Sequence, residues 1–201
     1  MVNEIKIRIN VFLVAFILAI VITSVAIYYS ITKYKEQEVQ KYYYNYKGYN
    51  IEFRKPIEQS KNILVLPNES VLNISTYALA LGAFKNFTIV IFENDNNEVT
   101  AMGAFELASK IVNILNYELS KLGYDKIQIN VLKIKKDISE LNISKREYYV
   151  FLKSYLISNE TYIKVHSLNF VEIAGKNIDE FDYAIIKFIV TFLNNMKAIY
   201  K

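Results

Sequence analysis

The chain has 201 residues, a formal net charge of +4 and 53% apolar residues, and it contains no cysteine. So small a charge, with no basic stripe interleaved with aromatics, excludes a nucleic-acid surface. The missing cysteines exclude disulfides, thiolate nucleophiles and cysteine-held metals. Five glycines build no phosphate-binding loop, dinucleotide fingerprint or nucleophile elbow, and one histidine cannot make a multi-histidine metal site. A bias toward Ile, Lys, Asn and Tyr, without Trp, is archaeal-like, as an AT-rich genome would give.

Residues 1–10 read as a short cytoplasmic N-terminus. Val11 to Ile31 (VFLVAFILAIVITSVAIYYSI) carries no charge and is long enough to cross the roughly 30 Å core of a bilayer. Lys6 and Arg8 precede it, and Tyr28 and Tyr29 lie near its far end. Basic residues favour the cytoplasmic side and tyrosines the interface, so the expectation is a single-pass cell-membrane protein with its C-terminal domain outside. Lys33 and Lys35 weaken the charge asymmetry. A cleaved signal peptide is the alternative, since Ser24-Val25-Ala26 fits a small-x-small site. The apolar run continues past Ala26, which favours a retained anchor.

Residues 32–48 (TKYKEQEVQKYYYNYKG) read as a Tyr-rich juxtamembrane stalk whose Tyr42, Tyr43, Tyr44 and Tyr46 are expected to pack on the domain, the alternatives being lipid headgroups or a partner, and 49–201 as an extracytoplasmic domain. Within that domain, residues 49–54 suit a short strand. The apolar runs over 62–67 and 87–92 suit strands covered on both faces. Residues 71–84 between them have helical spacing. Met102, Phe105, Ala108, Val112, Leu115, Leu119 and Leu122 define one stripe of a long helix over 98–122, which Gly123 stops. Residues 127–134 alternate like a half-exposed strand.

Ser144 and Glu147 read as a capping box for a helix over 145–157, from the spacing of Tyr148, Phe151, Leu152 and Tyr155. Residues 161–166 and 170–174 suit a hairpin, and Asn177 caps a final helix carrying Phe181, Ile185, Phe188, Phe192 and Met196. Alternation of strand and helix predicts an α/β domain with a mixed, mostly parallel sheet packed by helices, preceded by one transmembrane helix.

The loop Glu93–Glu98 (ENDNNE) follows an apolar strand and opens the longest helix, where ligands collect in open α/β sheets. Glu93, Asp95 and Glu98 are hard oxygen donors that could hold a divalent cation; the plainer reading is a polar turn capping the helix. Asp179, Glu180 and Asp182 suit the first turn of a helix. Lys133, Lys135, Lys136 and Asp137 read as a solvated strand exit. His166 shares a polar strand face with Tyr162 and Lys164, a solvated rather than catalytic setting. Asn68, Asn73, Asn86, Asn142 and Asn159 head Asn-x-Ser/Thr sequons, all after the apolar run.

The expected function is therefore a non-enzymatic envelope protein, tethered to the lipid bilayer and binding another envelope protein or a glycan. The alternative is a tethered enzyme or ligand receptor using the 93–98 loop with a divalent cation.

Overall fold

A computed structural model describes residues 42–135 and 141–200. The expected transmembrane helix, most of the expected stalk and two of the four residues of the charged strand exit lie outside that range. Among the described residues, no helix is long and apolar enough to cross a membrane.

Tyr42–Tyr46 (β1) and Tyr49–Phe53 (β2) form an antiparallel hairpin in which Tyr46 pairs with Tyr49. The two-residue turn is Lys47-Gly48, with φ of 48° and 86°. Positive φ at both positions matches the right-handed twist of the flanking strands, and glycine takes it without strain. The tyrosines read as stalk thus supply the first strand of the domain. Period-2 alternation explains why: Tyr46 and Phe53 are buried, whereas Tyr43, Asn45 and Glu52 face solvent.

Six further strands make one sheet: Leu64–Leu66 (β3), Asn86–Phe92 (β4), Gln128–Ile134 (β5), Glu147–Lys153 (β6), Tyr162–Ser167 (β7) and Phe170–Ala174 (β8). Their order is β3-β7-β8-β6-β4-β5. Every neighbouring pair is parallel except the β7–β8 hairpin. The mixed, mostly parallel α/β sheet expected from the sequence is the one observed.

The helix expected over 145–157 is instead the central strand β6. Tyr148 to Leu152 are all buried, and β6 is hydrogen-bonded to β4 and β8. Five consecutive apolar residues, mostly aromatic or β-branched, suit a strand covered on both faces; a helix would need apolar cover all round. Ser144 closes a turn rather than capping a helix. Its Oγ accepts from the Arg146 N–H at 3.2 Å and its carbonyl from the Glu147 N–H at 3.3 Å.

The helices are Ile57–Ser60 (α1), Glu69–Ala80 (α2), Glu98–Leu107 (α3), Asn113–Lys121 (α4) and Ile178–Ile199 (α5). Asn68, Asn97 and Asn177 cap α2, α3 and α5, their side-chain carbonyls accepting from Val71, Thr100 and Glu180 N–H at 3.2, 3.0 and 2.9 Å. A π-helical turn, Ala108–Val112, joins α3 to α4. That turn corrects the expected stripe. Val112, Leu115 and Leu119 are buried, but Met102 and Phe105 are exposed, and Gly103, Leu107 and Ile111 take the inner positions. One extra residue in a turn rotates everything before it by about 100° relative to everything after, so no straight 3.6-residue stripe can run through.

The core lies between the helices and one face of the sheet. Phe87, Ile89 and Ile91 of β4, Tyr148, Val150 and Leu152 of β6, and Val171 and Ile173 of β8 meet Leu72, Leu115, Phe188 and Phe192. Gly175 lets α5 begin directly against the sheet, since a Cβ there would stand 2.4 Å from the Phe181 Cα. Lys187 is buried in this layer. It donates to the carbonyls of Lys61 (3.1 Å) and Ile63 (2.7 Å) and pairs with Glu69, so its charge is compensated. The other sheet face carries a smaller cluster, Val90, Ile134, Tyr149, Phe151 and Phe170, with Phe92 and Leu141 against it.

Candidate functional site

The acidic loop follows the C-terminal end of β4, as expected from the sequence. Its carboxylates do not act together. Asp95 is fully buried, accepts from the Ser154 N–H at 2.7 Å and from Asn97 Nδ2 at 2.9 Å, and bonds the Ser154 hydroxyl. It ties the end of β4 to the end of the neighbouring β6. Glu93 and Glu98 are exposed. Among the described residues, no three His, Asp or Glu side chains are gathered as a metal ion would require.

A different cluster forms on the sheet face opposite the helices. Glu172, in the middle of β8, is only 3% exposed. Its Oε1 accepts from Lys153 Nζ at 2.7 Å and from the Tyr162 hydroxyl at 2.6 Å, and its Oε2 meets His166 Nε2 at 2.8 Å. Register brings these groups together. Ala174 lies between Lys153 of β6 and Tyr162 of β7 in the ladder, and Lys164 lies directly beside Glu172. Alanine is too small to separate its neighbours, so both reach back two residues to the carboxylate. The His166 ring stacks on Phe170 at 4.8 Å and 20°. His166 is exposed, as expected from the sequence, and is also held on two sides.

Burial alone would raise the pKa of the Glu172 carboxyl. Hydrogen bonds from Lys153, Tyr162 and His166 outweigh that and hold it below the usual carboxylate range. The Tyr162 hydroxyl is pushed up, first by burial and then by its bond to the same carboxylate. A carboxylate kept ionised by three donors is a poor proton donor. It is suited to orienting what surrounds it: an ammonium and an imidazole whose side chains remain 23% and 27% exposed. With exposed Lys164 beside them, they form a basic rim around one buried negative charge. Nothing in the sequence marked Lys153 or Glu172. The available signal was the alternation Tyr162, Lys164, His166 facing a lone acid in the next strand of a hairpin.

The sequons separate by structure. Asn142 and Asn159 are exposed in the loops before and after β6. Asn68 and Asn73 are exposed at the cap and in the body of α2. Asn86 is half-buried, with Nδ2 donating to Glu147 at 3.2 Å, and Thr88 of its sequon is buried.

Compared with protein-family models, characterised proteins and solved structures, the chain matches none.

Proposed function

We propose that this chain is a single-pass cell-membrane protein whose α/β domain stands outside the cytoplasm and binds another envelope protein or a glycan, without catalysing a reaction. The observation that carries this reading is the charge-free run Val11–Ile31, which ends ten residues before the first strand of a domain with its own core. Such a layout delivers a folded module to a membrane surface. The sheet face around Glu172 supports the binding role. Lys153, Lys164 and His166 offer donors for an acidic partner, and Glu172 holds two of them in fixed geometry. Exposed sequons at Asn142 and Asn159 suit glycosylation outside the cell. The alternative, a divalent-cation site at 93–98, has less support because Asp95 is committed to Ser154.

The test is recovery of the full chain from native membranes in mild detergent after cross-linking, beside the Lys164→Gln and His166→Gln variants. The expected result is a membrane-bound chain with its N-terminus intact, retaining a partner that both variants lose. A chain found in the soluble fraction and beginning after Ala26 would refute the anchor. A partner held equally by all three forms would refute the assigned face.

A further inference from the structure

A second surface lies on the helix side, where the hairpin crosses the outside of α4. Tyr46, Tyr49, Ile51, Asn113, Ile114 and Tyr117 line an open groove of about 300 Å³. Its walls are Tyr49 and Tyr117, 62% and 48% exposed, whose rings meet edge to face at 6.5 Å. Lysines flank it: Lys121 Nζ stands 4.0 Å from the Tyr117 ring centroid and Lys47 Nζ 5.7 Å from that of Tyr46, and both pair with the buried Glu118, at 3.5 and 3.0 Å, so the three groups together carry one net positive charge. Two large aromatics left open to water beside an apolar floor call for an occupant.

We infer that this groove is the surface on which the domain rests against the lipid headgroups of the bilayer that holds its own anchor. Two arguments select the bilayer. The first is chemistry. Tyrosine presents an apolar ring and a polar tip, and lysine an apolar stem and a cationic end, the residue pair that settles at a membrane interface. The second is reach. Only residues 32–41 separate Ile31 from Tyr42, and ten residues span at most about 35 Å. A tether of that length leaves the hairpin that opens the domain able to touch the headgroups. Docking there would fix which way the Glu172 face looks. The inference rests on the anchored reading above, and the experiment separates the two.

The chain has no cysteine, so single labels can be placed cleanly. Full-length Val21→Cys, Asn113→Cys and Val131→Cys variants, each carrying one fluorophore, would be reconstituted in phosphatidylcholine–phosphatidylglycerol vesicles with nitroxides on either the acyl chains or the headgroups. The expected pattern is loss of fluorescence at position 21 to acyl-chain nitroxides and at position 113, exposed in the groove, to headgroup nitroxides, with position 131, exposed on edge strand β5, keeping its signal. If position 113 behaves like 131 while 21 is quenched, the docking is wrong and the anchor stands. If 21 is not quenched, the anchor fails and the docking with it. Quenching at 113 and 131 alike would deny this groove its special role. A label at 113 shielded from an aqueous quencher yet untouched by lipid nitroxides would mean that a second copy or a protein partner fills the groove instead.

Discussion

The two faces of the sheet are made from alternate residues of the same strands, yet they are built differently. On the helix side, Tyr148, Val150 and Leu152 of β6 enter an apolar core; the buried charges of that layer, Glu118 and Lys187, stand on α4 and α5 and not on the sheet, and the Tyr148 hydroxyl lies 2.7 Å from Ser75 Oγ. On the other side, Phe151 has Phe92 edge-on at 4.9 Å, and its neighbour in β8 is the buried carboxylate of Glu172. The first face is held by shape and area. The second is held partly by charge, so it should answer to pH and to single-atom changes in ways the first does not.

The largest effect should come from the helix side. Phe188→Ala removes a fully buried ring and should cost about 3 to 5 kcal/mol in chemical denaturation, with little pH dependence. Next, Glu172→Gln strands the Lys153 ammonium and should cost about 3 kcal/mol at pH 7, reduced to the extent that Lys153 reaches water. That cost should shrink in acid. The folded carboxyl titrates below its unfolded value, so its contribution is complete above the unfolded pKa of about 4.3 and is lost as pH falls through the folded one. Equal losses for Phe188→Ala and Glu172→Gln at every pH would erase the distinction between the faces.

Smaller still, Asn97→Ala and Asn177→Ala should each cost about 1 kcal/mol through a lost cap, the former somewhat more because Asn97 also holds Asp95. Least of all, Lys164→Gln should change stability by under about 0.5 kcal/mol, since its side chain is exposed. A large loss there would mean that the basic rim is structural. Intact-mass measurement should find sugar at Asn142 and Asn159 and none at Asn86, whose amide is already bonded across the sheet.

Segments whose environment follows from their own residues were read correctly. The capped final helix, the helix stop at Gly123, the β7–β8 hairpin and the doubly covered β4 all carry local signals: a cap, a glycine, alternation, an unbroken apolar run; the single stripe over 98–122 was misread because the π-helical turn Ala108–Val112 divides it. Segment 145–157 failed because Tyr148, Phe151, Leu152 and Tyr155 satisfy a helical spacing and an apolar run at once. Only the hydrogen-bonding partners β4 and β8 decide between them. Tyrosines 42, 44 and 46 do pack on the domain as expected, but their place in a strand rather than a stalk depends on a turn at Lys47-Gly48 that has no strong local signature.

What the sequence determined by itself was the α/β class, most element types, the charge-free run at the N-terminal end and the absence of thiol and glycine-loop chemistry, all properties of residues taken singly or at fixed short spacing. What only the tertiary structure decided was assembly across distance. Asp95 turned inward to Ser154, 59 residues away, and Glu172 of β8 gathered Lys153, Tyr162 and His166 from the two strands beside it. Burying a carboxylate requires donors, and strand order decides which donors are near.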